Sequence, residues 1–285
     1  REQEKADMIK DKLSIKEVSG CFFLFLSDKN NIYNMNWIYK NHELKTSGCY
    51  NMNFLFNNGK FYIMDNHLAA AWCWLQKIDT SKRYGLFHID RHYDLLNNLT
   101  DDFIAENRSE LINKDFFFYL SLKDNMNNQA IRYDNYIDAF NKLHPNLLQQ
   151  IYYATHKDGT DQNGTSLEHI NTYEPNLWEL DTNINYWLTE CHKDIDQWIV
   201  NIDLDFFFTG EDGECSQFIT RKYIKNICKE IKNSLPKIDV VTIAISPEFC
   251  NGWGNAFNIL RVITTELDIY MPYKYKRYKK HSFLF

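Results

Sequence analysis

Tyr84-Gly-Leu-Phe-His-Ile89 runs without a break into Asp90-Arg-His92-Tyr-Asp94. Six largely apolar residues, too few for an independent helix, read as a strand buried on both faces. The residues that follow alternate at i, i+2 and i+4, so Asp90, His92 and Asp94 can face one side while the backbone stays extended. Groups this polar are costly beside an apolar strand unless they are paired or bound. The chain repeats the arrangement twice. Trp198–Leu204 leads into Asp203 and Asp205 within Asn201-Ile-Asp-Leu-Asp205, and Phe61–Met64 leads into Asp65-Asn-His67.

Further apolar runs predict strands at Gln150–Thr155 and Val240–Ile245. Amphipathic stretches predict helices at His67–Ile78, Asn135–Leu143, Gln217–Leu235 and Gly254–Leu267. Strands alternating with helices predict an α/β fold, one domain with a mostly parallel central sheet flanked by helices. We place that domain at residues 61–270, after an N-terminal segment (1–60) of unassigned role and before a basic, aromatic tail (271–285). The Asn- and Asp-rich stretch 157–197 reads as a long loop by the active face. In parallel sheets ligands bind beyond the carboxyl ends of the strands, and all three polar segments fall there.

Composition narrows the class. The 285 residues are 44% hydrophobic, ample for a buried core, and carry a net charge of −6, which argues against nucleic acid as a partner. Seven cysteines without a CxxC pair suit a reducing, cytoplasmic setting. No apolar run approaches the ~20 residues of a membrane span. Four converging carboxylates need neutralising, because two like charges 4 Å apart repel by roughly 4 kcal/mol at an effective dielectric near 20. Two divalent cations would balance four aspartates.

The motifs also carry a resemblance. Asp-x-His-x-Asp after one strand and Asp-x-Asp after another resemble the ureohydrolase pattern of arginases and agmatinases. Asp65-Asn-His67 stands where that superfamily usually has Gly-Gly-Asp-His. Together with Ser246-Pro-Glu-Phe-Cys-Asn-Gly-Trp253, these segments most resemble the peptide arginases, which convert arginine side chains of ribosomally made precursor peptides to ornithine. The four motifs span residues 65–253, about two thirds of the chain.

The resemblance implies an arginase/deacetylase-like fold and two Mn²⁺ per chain. One ion would be held by His67, Asp90, Asp94 and Asp203, the other by Asp90, His92, Asp203 and Asp205, with Asp90 and Asp203 bridging. An imidazole and several carboxylate oxygens per ion suit Mn²⁺ better than a thiolate-preferring metal. Glu248 would pair with the guanidinium, and Trp253, in a glycine-flanked turn, would wall the pocket. The implied partner is an arginine-containing precursor peptide. For the general acid, which no motif anchors, the expectation is His156, just past the strand Gln150–Thr155; His88 reads as orienting a ligand. Three other readings stay open: a ureohydrolase of free arginine or agmatine, a mononuclear zinc deacylase, and a non-catalytic peptide-binding module.

Overall fold

A computed structural model describes residues 17–18, 21–22, 35–48, 50–113, 115–210 and 214–272. Residues 1–34 form a unit of their own, in which Glu17–Val18 pairs antiparallel with Cys21–Phe22. The expected basic tail, from Tyr273 onward, lies outside the described residues.

From Met35 the described residues build an eight-stranded sheet. Its strands are β1 (Met35–Lys40), β2 (Phe54–Asn58), β3 (Phe61–Met64), β4 (Tyr84–Ile89), β5 (Leu148–Ala154), β6 (Asn171–Tyr173), β7 (Gln197–Asp203) and β8 (Ile238–Ala244). They lie in the order β1-β2-β3-β8-β7-β4-β5-β6. Every pair from β3 to β6 is parallel, while β1–β2 and β2–β3 are antiparallel. The sheet therefore begins upstream of residue 61, the boundary expected from the motifs. The extra strands escaped the sequence reading because Asn57-Asn58-Gly59-Lys60 looks like a loop; it is the tight turn of a hairpin, with Gly59 at φ 64°.

Helices cover both faces. Tyr84 and Leu86 join a core with α1 (Ala70–Leu75), α2 (Asp101–Asn113), α3 (Phe116–Ser121) and α4 (Tyr136–Leu143). Phe87 and Ile89 point the other way, into a core with α5 (Leu177–Tyr186), α6 (Arg221–Ser234) and α7 (Trp253–Glu266). The local rules are plain in α6. Thr220 caps it by accepting from the Tyr223 amide, and Ile224, Ile227, Cys228 and Ile231 make its buried stripe. The stretch 157–197 is not a long loop: it contains β6 and α5. That helix buries only Leu180 and Ile184 and leaves Trp178 exposed, so its apolar period is faint.

Gly85 lets β4 lie against β7. A Cβ built there would stand 2.3 Å from the Trp198 ring. Gly85→Ala is therefore expected to cost about 3 kcal/mol through overpacking. Scanning calorimetry should show a Tm lowered by roughly 6–12 °C; an unchanged Tm would mean that Trp198 can step aside.

Candidate metal centre

The sheet order lines up four carboxyl ends. Met64 of β3, Ala244 of β8 and Asp203 of β7 share one register line, and Ile89 of β4 pairs with Ile202. Whatever follows these strands projects beyond the same edge. That brings His67, Asp90, His92, Asp94, Asp203 and Asp205 together, although they come from three distant segments. Five of the six are buried, and the side chain of His92 is 26% exposed.

The centre is crowded. Asp90 Oδ2 stands 3.1 Å from His67 Nδ1, and Asp94 Oδ2 and Asp203 Oδ2 stand 3.2 Å from it. The Tyr136 hydroxyl is 3.3 Å from the same nitrogen. One ring nitrogen carries at most one proton, so it cannot hydrogen-bond all of these oxygens. Nearby, His92 Nδ1 lies 3.2 Å from Asp205 Oδ2 and 3.5 Å from Asp90 Oδ1. Neighbouring ligands of an octahedral cation with bonds near 2.1 Å sit about 3.0 Å apart, close to this spacing. Asp90 Oδ2 is buried with no hydrogen-bond partner. The donor set and its orphaned oxygen fit divalent cations.

Two overlapping groups emerge: His67 with Asp90 and Asp203, and His92 with Asp90 and Asp205. Asp90 is common to both, as a bridging residue must be. Asp203 uses both of its carboxylate oxygens. Its Oδ2 belongs with His67 and accepts from Ser246 Oγ at 2.5 Å, while its Oδ1 accepts from the Asp205 amide at 3.0 Å. Two of these residues adopt left-handed backbone that side chains rarely take, Asp94 at φ 55° and Ser246 at φ 35°.

Behind the cluster lies a buried polar chain. Trp74 Nε1 donates to Thr242 Oγ1 at 3.1 Å, and Thr242 donates to Asn201 Oδ1 at 2.5 Å. The Asn201 amide donates to His88 Nδ1 and to the Tyr136 hydroxyl, both at 2.9 Å. His88 Nε2 is then left to donate to the His92 carbonyl at 3.0 Å. His88 also stands near Asp90 and Asp94. With both nitrogens engaged, it orients the loop and is not a free ligand. Burial pushes its pKa down to about 4, in keeping with a neutral ring.

The electrostatics explain why the cluster needs counter-charge. Burial, then the charge of Asp90, raises Asp94 to about 7. Burial and Asp205 hold Asp203 well above the usual carboxylate range, and burial and Asp90 raise Asp205. Asp90 alone goes the other way: burial would raise it, but the neighbouring His67, His92 and His88 rings outweigh that. Burial opposes a charge on His92, but Asp205 and Asp90 outweigh it and lift the ring to about 11. His67 is likewise lifted well above its ordinary value, by Asp203 and its other carboxylate neighbours against burial.

These shifts dictate a pH response. Asp94, Asp203 and Asp205 keep protons in the fold that the unfolded chain loses above about pH 4, so folding is increasingly opposed as pH rises. The contribution of His67 and His92 is full below their unfolded value near 6.5 and fades as pH climbs toward about 11 for His92. Asp90 stabilises above about pH 4 and adds no further slope there. His88, held neutral, works the other way between about pH 4 and 6.5, so the metal-free Tm should fall from about pH 6.5 to pH 8. Added Mn²⁺ should restore it most at the upper end, where the ligands have fewer protons to shed. A metal-free Tm that rises over this range would contradict the assigned charge states.

A cavity of about 120 Å³ opens onto the cluster. Glu248 lines it, half-buried, with Phe249, Tyr133, Ser47, Gly48 and Ser246. Trp253 does not wall the cavity. It packs against Phe54 and Phe257 at 6.5 and 5.7 Å, and Phe249 takes the expected position, 5.4 Å from the His92 ring. The structure does not bring His156 to the cavity lining either. Its Nε2 is 2.9 Å from the Phe206 carbonyl, and its ring packs against Phe206 and Phe218. The sequence reading missed Ser47, Tyr133 and Ser246. Only Ser246 lay inside a quoted motif, and nothing in the local pattern of the other two points to a site.

No helix among the described residues is long and apolar enough to cross a membrane. No family model matches the chain, and no curated protein does. Several solved structures align with part of the chain. The arginase of Entamoeba histolytica, in complex with L-ornithine, aligns at 13% identity and a TM-score of 0.40, over 72% of this chain and 68% of that one. Helicobacter pylori arginase gives 13% and 0.40 over 72% and 71%. The agmatine ureohydrolase of Thermoplasma volcanium gives 12% and 0.39 over 73% and 62%. At such identities and scores, these likenesses decide nothing about the reaction.

Proposed function

We propose that this chain is a manganese-dependent hydrolase acting on arginine side chains within a peptide, yielding ornithine and urea. One observation carries the reading: four aspartates and two histidines meet at the ends of three parallel strands, and a carboxylate, Glu248, lines the same cavity. His67, Asp90, Asp94 and Asp203 would hold one cation; His92 and Asp205, with Asp90 shared, would hold the other. When bound, the pair supplies Lewis acidity and makes hydroxide available at neutral pH.

The chain's own groups do the rest. Glu248 takes the guanidinium by charge-assisted hydrogen bonds and fixes its plane. Phe249 and Tyr133 offer flat walls to a planar group. The four aspartates would balance two divalent cations, and Glu248 the guanidinium. That the arginine stands within a peptide rests on the likeness of the four motifs to those of the peptide arginases.

With its Nε2 on the Phe206 carbonyl, His156 is not assigned the proton of the departing amine. His156→Ala is expected to keep turnover within about threefold, since general-acid loss would cost roughly a hundredfold or more. A loss of that size would restore His156 to the mechanism.

Mass spectrometry of an arginine-containing peptide incubated with Mn²⁺-loaded protein tests the reaction, alongside free arginine. A loss of about 42 Da per converted residue is the expected result. Conversion of free arginine alone would overturn the peptide substrate. No change in either, with cations demonstrably bound, would overturn the reaction.

A further inference from the structure

Residues 41–53 run from the end of β1 to the start of β2, and their middle reaches the cavity at Ser47 and Gly48. Three anchors hold this segment. The first is Asp65, which directly follows β3. Its carboxylate accepts from the amides of Asn53 and Phe54 at 2.8 Å each, from Asn53 Nδ2 at 2.8 Å and from the Ser47 hydroxyl. The second is Asn66, whose side-chain amide donates to the carbonyls of Gly48 at 2.5 Å and Asn51 at 3.2 Å. The third reaches across the site: the Ser47 amide donates to Glu248 Oε1 at 2.6 Å. Both Ser47 and Asp65 are buried. None of this belongs to the metal cluster, yet it ends on the carboxylate proposed to take the substrate.

We infer that Ser47 is a positioning residue for Glu248, and that Asp65 holds Ser47 in place; the inference rests on the proposed guanidinium chemistry. A carboxylate on two or three rotatable bonds can present its plane at many angles. A short amide bond to one oxygen removes most of that freedom. Each carboxylate oxygen carries two acceptor sites, so Oε1 can keep Ser47 and still receive one guanidinium N–H while Oε2 receives another. A fork-to-fork pair is coplanar, so the plane of Glu248 becomes the plane of the substrate group. Ser47 thereby sets the face that the guanidinium carbon turns toward the Asp and His cluster. Arginine inside a peptide has lost its charged α-amino and α-carboxylate handles, so orientation falls on few contacts.

The inference separates binding from orientation. Ser47→Ala keeps the amide but cuts its tether to Asp65. It should lower kcat by tenfold to a hundredfold, the cost of a displacement near 1 Å, with KM within about twofold and metal content unchanged. Ser47→Thr, which restores the hydroxyl, should recover most of that loss. Hydrogen exchange in the metal-free protein gives a readout that needs no turnover. In Glu248→Ala the Ser47 amide should exchange at least tenfold faster, while the amides of Asn53 and Phe54, held by Asp65, keep their protection. Unaltered Ser47 exchange in that variant would overturn the inference, as would wild-type kcat in Ser47→Ala. A rise in KM alone would also overturn it, because Ser47 would then serve binding rather than orientation. If wild type is inert toward every guanidino substrate, the reaction fails and the orienting role with it. The exchange result would then still report separately whether the amide bond to Glu248 exists.

Discussion

Asp203→Ala should abolish turnover, strip the centre of cation and make the metal-free protein more stable, all at once. Asp203 Oδ2 is one of three carboxylate oxygens gathered within 3.2 Å of His67 Nδ1, so its loss opens the first cation's shell. Its other oxygen accepts the Asp205 amide, so the second group loses its support too. Losing a group that merely orients a ligand already costs roughly 10–100-fold in metal affinity or activity. Losing a ligand that also supports its neighbour should cost more than a hundredfold. The stability effect has the opposite sign. Burial and the charge of Asp205 raise the Asp203 carboxyl, which means that its ionised form opposes folding. At neutral pH the fold must keep this carboxyl protonated, which costs about 1.4 kcal/mol for each pH unit above its unfolded value near 4, and Asp203→Ala removes that cost. Metal analysis, kinetics and melting curves on one preparation would read all three effects. Full turnover in Asp203→Ala would sink the metal-dependent reading, and a lowered metal-free Tm would sink the electrostatic one.

The opposed signs explain why the site was so legible. Residues that weaken the metal-free fold do not arise from packing rules, so they stand out against an apolar strand. His-x-Asp-x-His-x-Asp after Tyr84–Ile89 is conspicuous because a buried strand end tolerates such groups only at a cost. The strands Phe61–Met64 and Tyr84–Ile89 were legible to the residue for the same reason: apolar runs with sharp polar ends. What stayed hidden depends on distant partners. Ser47 and Tyr133 lie in unremarkable stretches, and only the sheet order brings them to the cavity. Trp253 looked like a pocket wall because of its glycine neighbours. The first turn of α7 instead aims it at Phe257, one helical turn on, and at Phe54 of β2, a strand the sequence reading had not found. His156 follows β5 closely, but the Phe206 carbonyl, fifty residues away, captures its ring.

Glu248→Gln should lower kcat/KM by roughly 13- to 160-fold, the equivalent of the ~1.5–3 kcal/mol that a hydrogen bond to a charged group contributes. Glutamine is nearly the same size, so the cavity keeps its shape. Its carbonyl oxygen can still accept the Ser47 amide, so the segment over the cavity stays tethered. What disappears is the negative charge facing the guanidinium, together with one of the two acceptor oxygens. The amide NH₂ that replaces it turns a donor toward a group that offers only donors. Most of the loss should therefore appear in KM, with bound metal unchanged, because Glu248 is absent from the groups of potential cation ligands. A peptide with citrulline in place of arginine, whose urea group is neutral, would provide the control, since its binding should respond far less to loss of the carboxylate charge. If Glu248→Gln instead leaves kcat/KM at the wild-type value, the carboxylate does not touch the substrate. If it removes the metal as well, Glu248 belongs to the cation shell, and the arginine side chain must be oriented by some other part of the cavity.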